Sequence, residues 1–362
     1  LLRLIMQDNV KNKVVVILFG LIIYGFFFLN LVAPDKKSSV SERRKLEQFP
    51  KVSLKTIING DFFKKFDNYS MDQFYQREKF RRLKIKTDML LLGNYNNMQI
   101  DKDYIYEVLY PLNENSVNNL VNKINNIIDS YLDDTNKVYY SLIPDKGYYI
   151  NNSLKLDYTK LVSLYKSVKG NYIDLFNILS LDDYYKSDTH WKEENLLKVG
   201  KELASKMDFT FDDNISFKDI VSFNGVYGSR LVLDKDLDKI VIAESAFINN
   251  AVVYDLTSNK KIDVYNYDKI NSLDKYDIYL NGASGLLKID NLLENDGKRL
   301  IIFRDSYTSS LAPLLISGYK EIILVDTRYI SPKILNNYIN FKDADILFLY
   351  GTIMANNSYT IR

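Results

Sequence analysis

Residues Arg299-Leu300-Ile301-Ile302-Phe303-Arg304-Asp305-Ser306-Tyr307-Thr308-Ser309-Ser310-Leu311 join a short apolar run to an Asp-Ser pair and then to a segment of helical texture. A run of this length reads as a buried strand, and the change of pattern at Asp305 reads as a strand-to-helix turn. Outward from it, strands are expected at 321–326, 345–350 and 138–143, the last closed by Pro144, with a further candidate at 172–178. Helices are expected at 158–168, 192–207 and 309–316, and one or two between 54 and 92. Strands alternating with helices imply an α/β domain whose central parallel sheet is covered on both faces. Between about 209 and 295 the texture changes to short alternating runs at 240–243, 251–255, 261–267 and 276–280. The Thr257-Ser258-Asn259 turn suggests a hairpin there, so this segment reads as a mostly antiparallel, β-rich insertion.

Residues 14–33 carry no charge, and only Tyr24 and Asn30 interrupt their apolar character. About 20 apolar residues is what a helix needs to cross a bilayer, so one transmembrane anchor is expected, preceded by a short cytoplasmic tail at 1–13. A cleaved signal peptide has an apolar core of about 7 to 15 residues, shorter than this one. Arg3, Lys11 and Lys13 precede the span while Lys36, Lys37, Arg43, Arg44 and Lys45 follow it, so charge does not assign the orientation. Residues 34–48 read as a solvated stalk, and 49–362 as the folded domain.

Composition narrows the function classes. Among 362 residues, 48 Lys and Arg against 46 Asp and Glu leave a net charge of +2, which lacks the basic excess of a nucleic-acid binder. With no Cys and one His, thiolate metal sites, cysteine catalysis and multi-His zinc sites are excluded.

The one imidazole, His190, lies two residues after Asp188 in a segment that reads as a loop ahead of a helix. In an extended segment, positions i and i+2 project to the same side, which lets Asp188 reach Nδ1 and leaves Nε2 free to take a proton. The plainer alternative is a packed histidine beside Trp191. Ser306 sits where an open parallel sheet presents reactive groups, at a strand's carboxyl end, with the first helix amides available to an oxyanion. Its plainer alternative is an N-cap. Together the three residues supply a nucleophile, a base and an orienting carboxylate.

Asp188-Thr189-His190-Trp191 with Arg304-Asp305-Ser306-Tyr307 resembles the DHHW family and the related alginate O-acetyltransferase proteins with SGNH-hydrolase-like domains. Supporting similarity lies in Phe49-Pro50, Asp72-Gln73-Phe74, Ile143-Pro144-Asp145-Lys146, Phe223-Asn224-Gly225-Val226-Tyr227-Gly228-Ser229 and Val325-Asp326-Thr327-Arg328-Tyr329. The resemblance implies a permuted SGNH-hydrolase-like three-layer α/β/α domain on the outer side of the cell membrane. It also implies a triad of Ser306, His190 and Asp188 that moves acetyl groups onto exported polysaccharide through an acetyl-serine.

By the same similarity Tyr307 and Arg328 lie near the site, although Arg328 can equally pair with Asp326. The family usually has Gly-Gly-Asn where this chain has Asn281-Gly282-Ala283-Ser284-Gly285, so Asn281 or Ser284 would have to supply an oxyanion donor. Thr189 replaces the first His of the family signature. No metal or nucleotide cofactor is needed, and no glycine-rich phosphate loop is present. The partners implied are a polysaccharide acceptor and a membrane-bound O-acyltransferase that hands over the acetyl group; a polysaccharide O-acetylesterase and a non-catalytic polysaccharide-binding subunit are the competing readings.

Overall fold

The structure, a computed structural model, describes residues 2–151, 154–294 and 297–362. The chain divides into two units, residues 1–91 with 230–232, and residues 92–229 with 233–362. The expected far boundary of the insertion, residue 295, lies outside the described residues.

The first unit opens with α1 (Leu2–Val32), within which Val10–Val32 is long and apolar enough to cross a membrane. Two short strands, β1 (Ser38–Ser39) and β2 (Arg44–Lys45), pair antiparallel after it. Helices α2 (Leu54–Ile58), α3 (Asp61–Asp72) and α4 (Arg77–Leu92) follow. The segment 34–48, expected to be a solvated stalk, is largely exposed but is tied to the helices that follow it. Arg44 grips buried Asp72 with two hydrogen bonds of 2.8 and 2.5 Å, and the same carboxylate accepts the Glu47 N–H. Gln73 ties down the backbone at Lys36 and Glu47, and Arg77 pairs with Glu42 at 2.7 Å. Charged residues that look solvated in sequence are here one half of a bidentate network with α3 and α4.

The second unit begins with the hairpin β3 (Met98–Asp101) and β4 (Tyr104–Glu107), then α5 (Glu114–Tyr131) and β5 (Lys137–Ile143). Short α6 (Lys146–Tyr149), α7 (Tyr158–Tyr165), β6 (Asn171–Tyr172) and α8 (Leu197–Met207) lead to an antiparallel pair, β7 (Ser216–Phe223) and β8 (Asp238–Glu244), with α9 (Val226–Arg230) between them. After α10 (Ala246–Asn249) come β9 (Ala251–Asp255), β10 (Lys260–Ile262), β11 (Leu286–Asn291), β12 (Arg299–Arg304), α11 (Thr308–Leu311), β13 (Glu321–Val325), β14 (Ala344–Gly351) and α12 (Thr352–Asn356).

Eight strands form one sheet in the order β10-β9-β11-β13-β12-β14-β5-β6. β13, β12, β14, β5 and β6 run parallel, in a register that sets Ile302 beside Leu347 and Leu324. Within the segment read as a β-rich insertion, β9, β10 and β11 extend the main sheet by antiparallel pairing, while β7 and β8 pair antiparallel separately. Alternate residues face opposite layers. Ile301, Phe303, Ile346 and Phe348 pack with α5 and α7, whereas Leu300, Ile302, Leu347 and Leu349 pack with α8 and the 312–318 turns. This is a three-layer α/β/α architecture, and each fully buried Leu or Ile contributes roughly 1.5–3 kcal/mol to it.

Several expected elements change type. Residues 275–278 form a 3₁₀ turn rather than a strand, because Asp274 caps the Tyr276 N–H and Leu280, Asn281 and Gly282 all take left-handed backbone. Pro313, which lacks an N–H, follows α11, and the chain continues as 3₁₀ turns to Gly318. Of residues 172–178 only Tyr172 pairs as strand.

Candidate active site

Parallel pairing gathers the carboxyl ends of β13, β12, β14 and β5 on one edge. Beyond β12 the chain turns at Asp305-Ser306, and Asp305 holds that turn with both oxygens. Oδ1 accepts the Tyr307 N–H at 3.1 Å and Oδ2 accepts the Gly351 N–H at 2.6 Å, from the end of neighbouring β14. Burial pushes the Asp305 carboxyl up, against these two donors. From Leu300 to Ile316 every residue is buried except Ser306, which is half-exposed. An otherwise sealed segment thus offers a single hydroxyl to solvent.

Ser306 Oγ lies 2.8 Å from His190 Nε2, and His190 Nδ1 lies 2.6 Å from Asp188 Oδ1. A carboxylate only accepts, so Nδ1 carries the proton and Nε2 is left to accept the serine hydroxyl. Asp188 reaches the ring through a tight turn, not through the extended spacing expected, since the same Oδ1 also accepts the His190 N–H at 3.0 Å. Oδ2 accepts the Val226 N–H at 2.8 Å. Burial pushes the Asp188 carboxyl up, but the charge and hydrogen bonds of His190 and the Val226 N–H outweigh it and hold the group well below the usual carboxylate range.

The loop bearing Asp188 and His190 is pinned from several sides. The Lys146 ammonium donates to the Tyr185, Lys186 and Asp188 carbonyls at 3.0, 3.2 and 2.7 Å, and burial pushes its pKa down to about 7. Asp238 accepts the Lys186 and Ser187 N–H groups, each at 2.7 Å. Trp191, fully buried, donates its indole N–H to the Tyr307 carbonyl at 2.9 Å and to Ser310 Oγ at 3.0 Å. That contact ties the histidine loop to the serine turn.

The other expected site residues are accounted for differently. Tyr307 is buried; its hydroxyl donates to the Thr189 carbonyl at 2.8 Å, spanning the same two segments. Arg328 is engaged by Asp326 through Nε at 2.9 Å and Nη2 at 2.6 Å, the ion-pair alternative. Asn281 accepts from Asn266 at 2.6 Å and Ser284 donates to Asp255 at 3.2 Å, so their side-chain hydrogen bonds run to residues outside the Ser306-His190-Asp188 chain. Among the described residues no group of three or more His, Asp or Glu is placed to hold a metal ion.

Sequence reasoning missed three neighbours of the Asp188–His190 pair. Tyr276 stacks face to face on it, with ring centroids 3.7 Å apart, and donates or accepts at Ser310 Oγ, 2.8 Å away. Lys146 and Val226 were visible only as parts of quoted motifs, with no signal of what they touch.

No sequence family matches the chain, and no curated protein matches it in sequence. Solved structures do. A DHHW family protein from Eubacterium siraeum DSM 15702 superposes with a TM-score of 0.59 at 18% identity, covering 74% of this chain and 94% of its own. Bacillus cereus PatB1 gives 0.56 at 14% identity over 71% of this chain and 96% of its own. The same protein with a sulfonyl adduct gives 0.55 at 13% identity over 71% and 97%. The shared property is the fold, an α/β sheet architecture.

Proposed function

We propose that this chain is a membrane-anchored, extracytoplasmic O-acetyltransferase acting on exported or cell-surface polysaccharide. The observation that carries the reading is the unbroken hydrogen-bond chain from Asp188 through His190 to Ser306, the one residue of its segment that is not fully buried. The motif resemblance and the fold shared with a DHHW family protein support it.

In this reading Ser306 Oγ attacks the acetyl carbonyl of the donor while His190 Nε2 takes the hydroxyl proton. The imidazolium, paired with ionised Asp188, then returns that proton to the departing donor oxygen or sulfur, leaving acetyl-Ser306. A sugar hydroxyl enters, gives its proton to Nε2 and takes the acetyl group, and the imidazolium passes that proton to the departing Ser306 Oγ. Because acetyl-CoA is a cytoplasmic donor, an enzyme outside the membrane needs a membrane-bound O-acyltransferase to present the acetyl group. The apolar α1 suits anchoring beside such a partner.

The test uses the full chain in detergent with a chromogenic acetyl ester, with and without an oligosaccharide acceptor followed by mass spectrometry. Since PatB1 is known with a sulfonyl adduct, a sulfonyl fluoride is a direct probe of the serine. Acetylated oligosaccharide and a sulfonylated Ser306 peptide, both lost in Ser306→Ala, are expected. Ester cleavage with no sugar product would replace transferase by esterase. An equally active Ser306→Ala would overturn the assignment, and inertness toward ester and sulfonyl fluoride alike would favour a binding subunit.

A further inference from the structure

The first unit carries an apolar surface that its own fold covers only in part. On α4, Phe80, Leu83, Leu90 and Leu91 recur at helical spacing and are exposed, Leu90 by 85%. The face that packs inward is a different one, marked by Ile85 at 3% exposure. α3 exposes Phe63 and Phe66, and α2 exposes Leu54 and Ile58, the latter by 83%. Large exposed apolar faces on three consecutive helices call for a covering partner.

The contact with α1 identifies the cover. Phe26 of α1 meets Phe74 and Phe80, at the junction of α3 and α4, with ring centroids 5.5 and 5.7 Å apart. Asn30, a polar residue inside the apolar stretch, accepts the Tyr75 N–H at 2.7 Å and donates to the Phe26 carbonyl. Phe26 lies six residues before the end of α1, so at 1.5 Å per residue the α3–α4 junction sits about 9 Å inside that end. If α1 spans the bilayer, the junction is already within the leaflet. That depth equals the 5–10 Å to which interfacial helices are buried.

Charge selects the lipid. Residues 34–92 carry 15 Lys and Arg against 8 Asp and Glu, whereas residues 93–362 carry 30 against 37. Exposed Lys79, Lys84 and Lys86 flank the apolar stripe of α4, where long side chains reach from an apolar surface to headgroups.

We propose that α2, α3 and α4 form a second, monotopic membrane contact, a helical collar seated in the anionic phospholipid leaflet where α1 ends. This rests on the reading of α1 as a span. It gives the first unit two attachments to one membrane, which restricts tilt and rotation in a way a single span followed by a flexible stalk does not.

The absence of native cysteine allows single-site labelling of the full chain. Leu83→Cys, Leu90→Cys and Phe63→Cys report on the collar and Leu21→Cys on α1, each carrying an environment-sensitive fluorophore in phosphatidylglycerol/phosphatidylcholine proteoliposomes. Quenching of all four by nitroxide-bearing lipid is expected, with the collar labels losing that quenching in pure phosphatidylcholine or high salt and the Leu21 label keeping it. A quenched Leu21 label with collar labels open to aqueous iodide overturns the collar and leaves the span. Collar labels shielded from both quenchers mean a protein surface covers them and also overturn it. An unquenched Leu21 label removes the span, and the collar with it.

Discussion

The ring of Tyr276 lies flat on the imidazole of His190, 3.7 Å between centroids and 6° between planes. A face-on aromatic ring attracts a cation above it, so this stack favours the imidazolium that acyl transfer would create and holds the ring in line with Ser306. The 3₁₀ turn Lys275–Ile278 delivers Tyr276, and its hydroxyl bond to Ser310 anchors it to α11, the helix that follows Ser306.

Tyr276→Leu should therefore lower kcat by about tenfold to thirtyfold, the equivalent of about 2 kcal/mol for a desolvated cation–π contact. Tyr276→Phe, which keeps the ring face, should retain most of the activity. Steady-state kinetics on an acetyl ester checks both, and equal losses in the two variants would assign the role to the hydroxyl.

Asp188→Asn keeps the shape of the side chain but places an amide against Nδ1 and withdraws the charge. Turnover should fall by about 10⁴, as when an orienting carboxylate is neutralised in related serine chemistry, while circular dichroism of the folded chain stays unchanged.

Gly225 is the position on which the Asp188 side chain rests. A Cβ built there would lie 2.3 Å from the Asp188 Cβ and 2.5 Å from its Oδ2, and backbone and buried carboxylate leave little room to give way. Gly225→Ala should cost about 1–3 kcal/mol in thermal or denaturant unfolding and reduce turnover together with it.

Lys146 supplies a pH dependence with a definite sign. Its folded pKa, about 7, lies below the ordinary lysine value of 10.5, so between those limits the unfolded chain binds the proton and the folded chain has released it. Stability conferred by this residue therefore rises with pH across that window, by at most about 1.4 kcal/mol per pH unit. The stability of the native chain relative to Lys146→Met should increase between pH 7 and 10, as read by denaturant midpoints; a flat difference would place the folded pKa near its ordinary value.

Tertiary contacts also explain what was misread or overlooked. The spacing of Val117, Leu120, Val121, Ile124 and Ile127 is helical, and all five are buried in α5, yet the many Asn residues between them masked an element of 18 residues. Residues 276–280 have strand-like alternation, and only the cap at Asp274 and the inward hydroxyls of Tyr276 and Tyr279 turn them into 3₁₀ structure.

The sequence by itself determined the central strands, to within a residue at 137–143, 299–304, 321–325 and 344–351, because a strand buried on both faces must be a short unbroken apolar run. It also determined that Ser306 ends such a run and that an apolar helix covers the stretch read as 14–33, which the structure has within Val10–Val32. Only the tertiary structure decided that His190 meets Ser306 across 116 residues, that Asp188 rests on Gly225 and Val226, and that Asn281 and Ser284 bond elsewhere. Periodicity is a property of neighbours along the chain, whereas the partner of a hydrogen bond or a stacked ring depends on which strand ends the parallel sheet brings side by side.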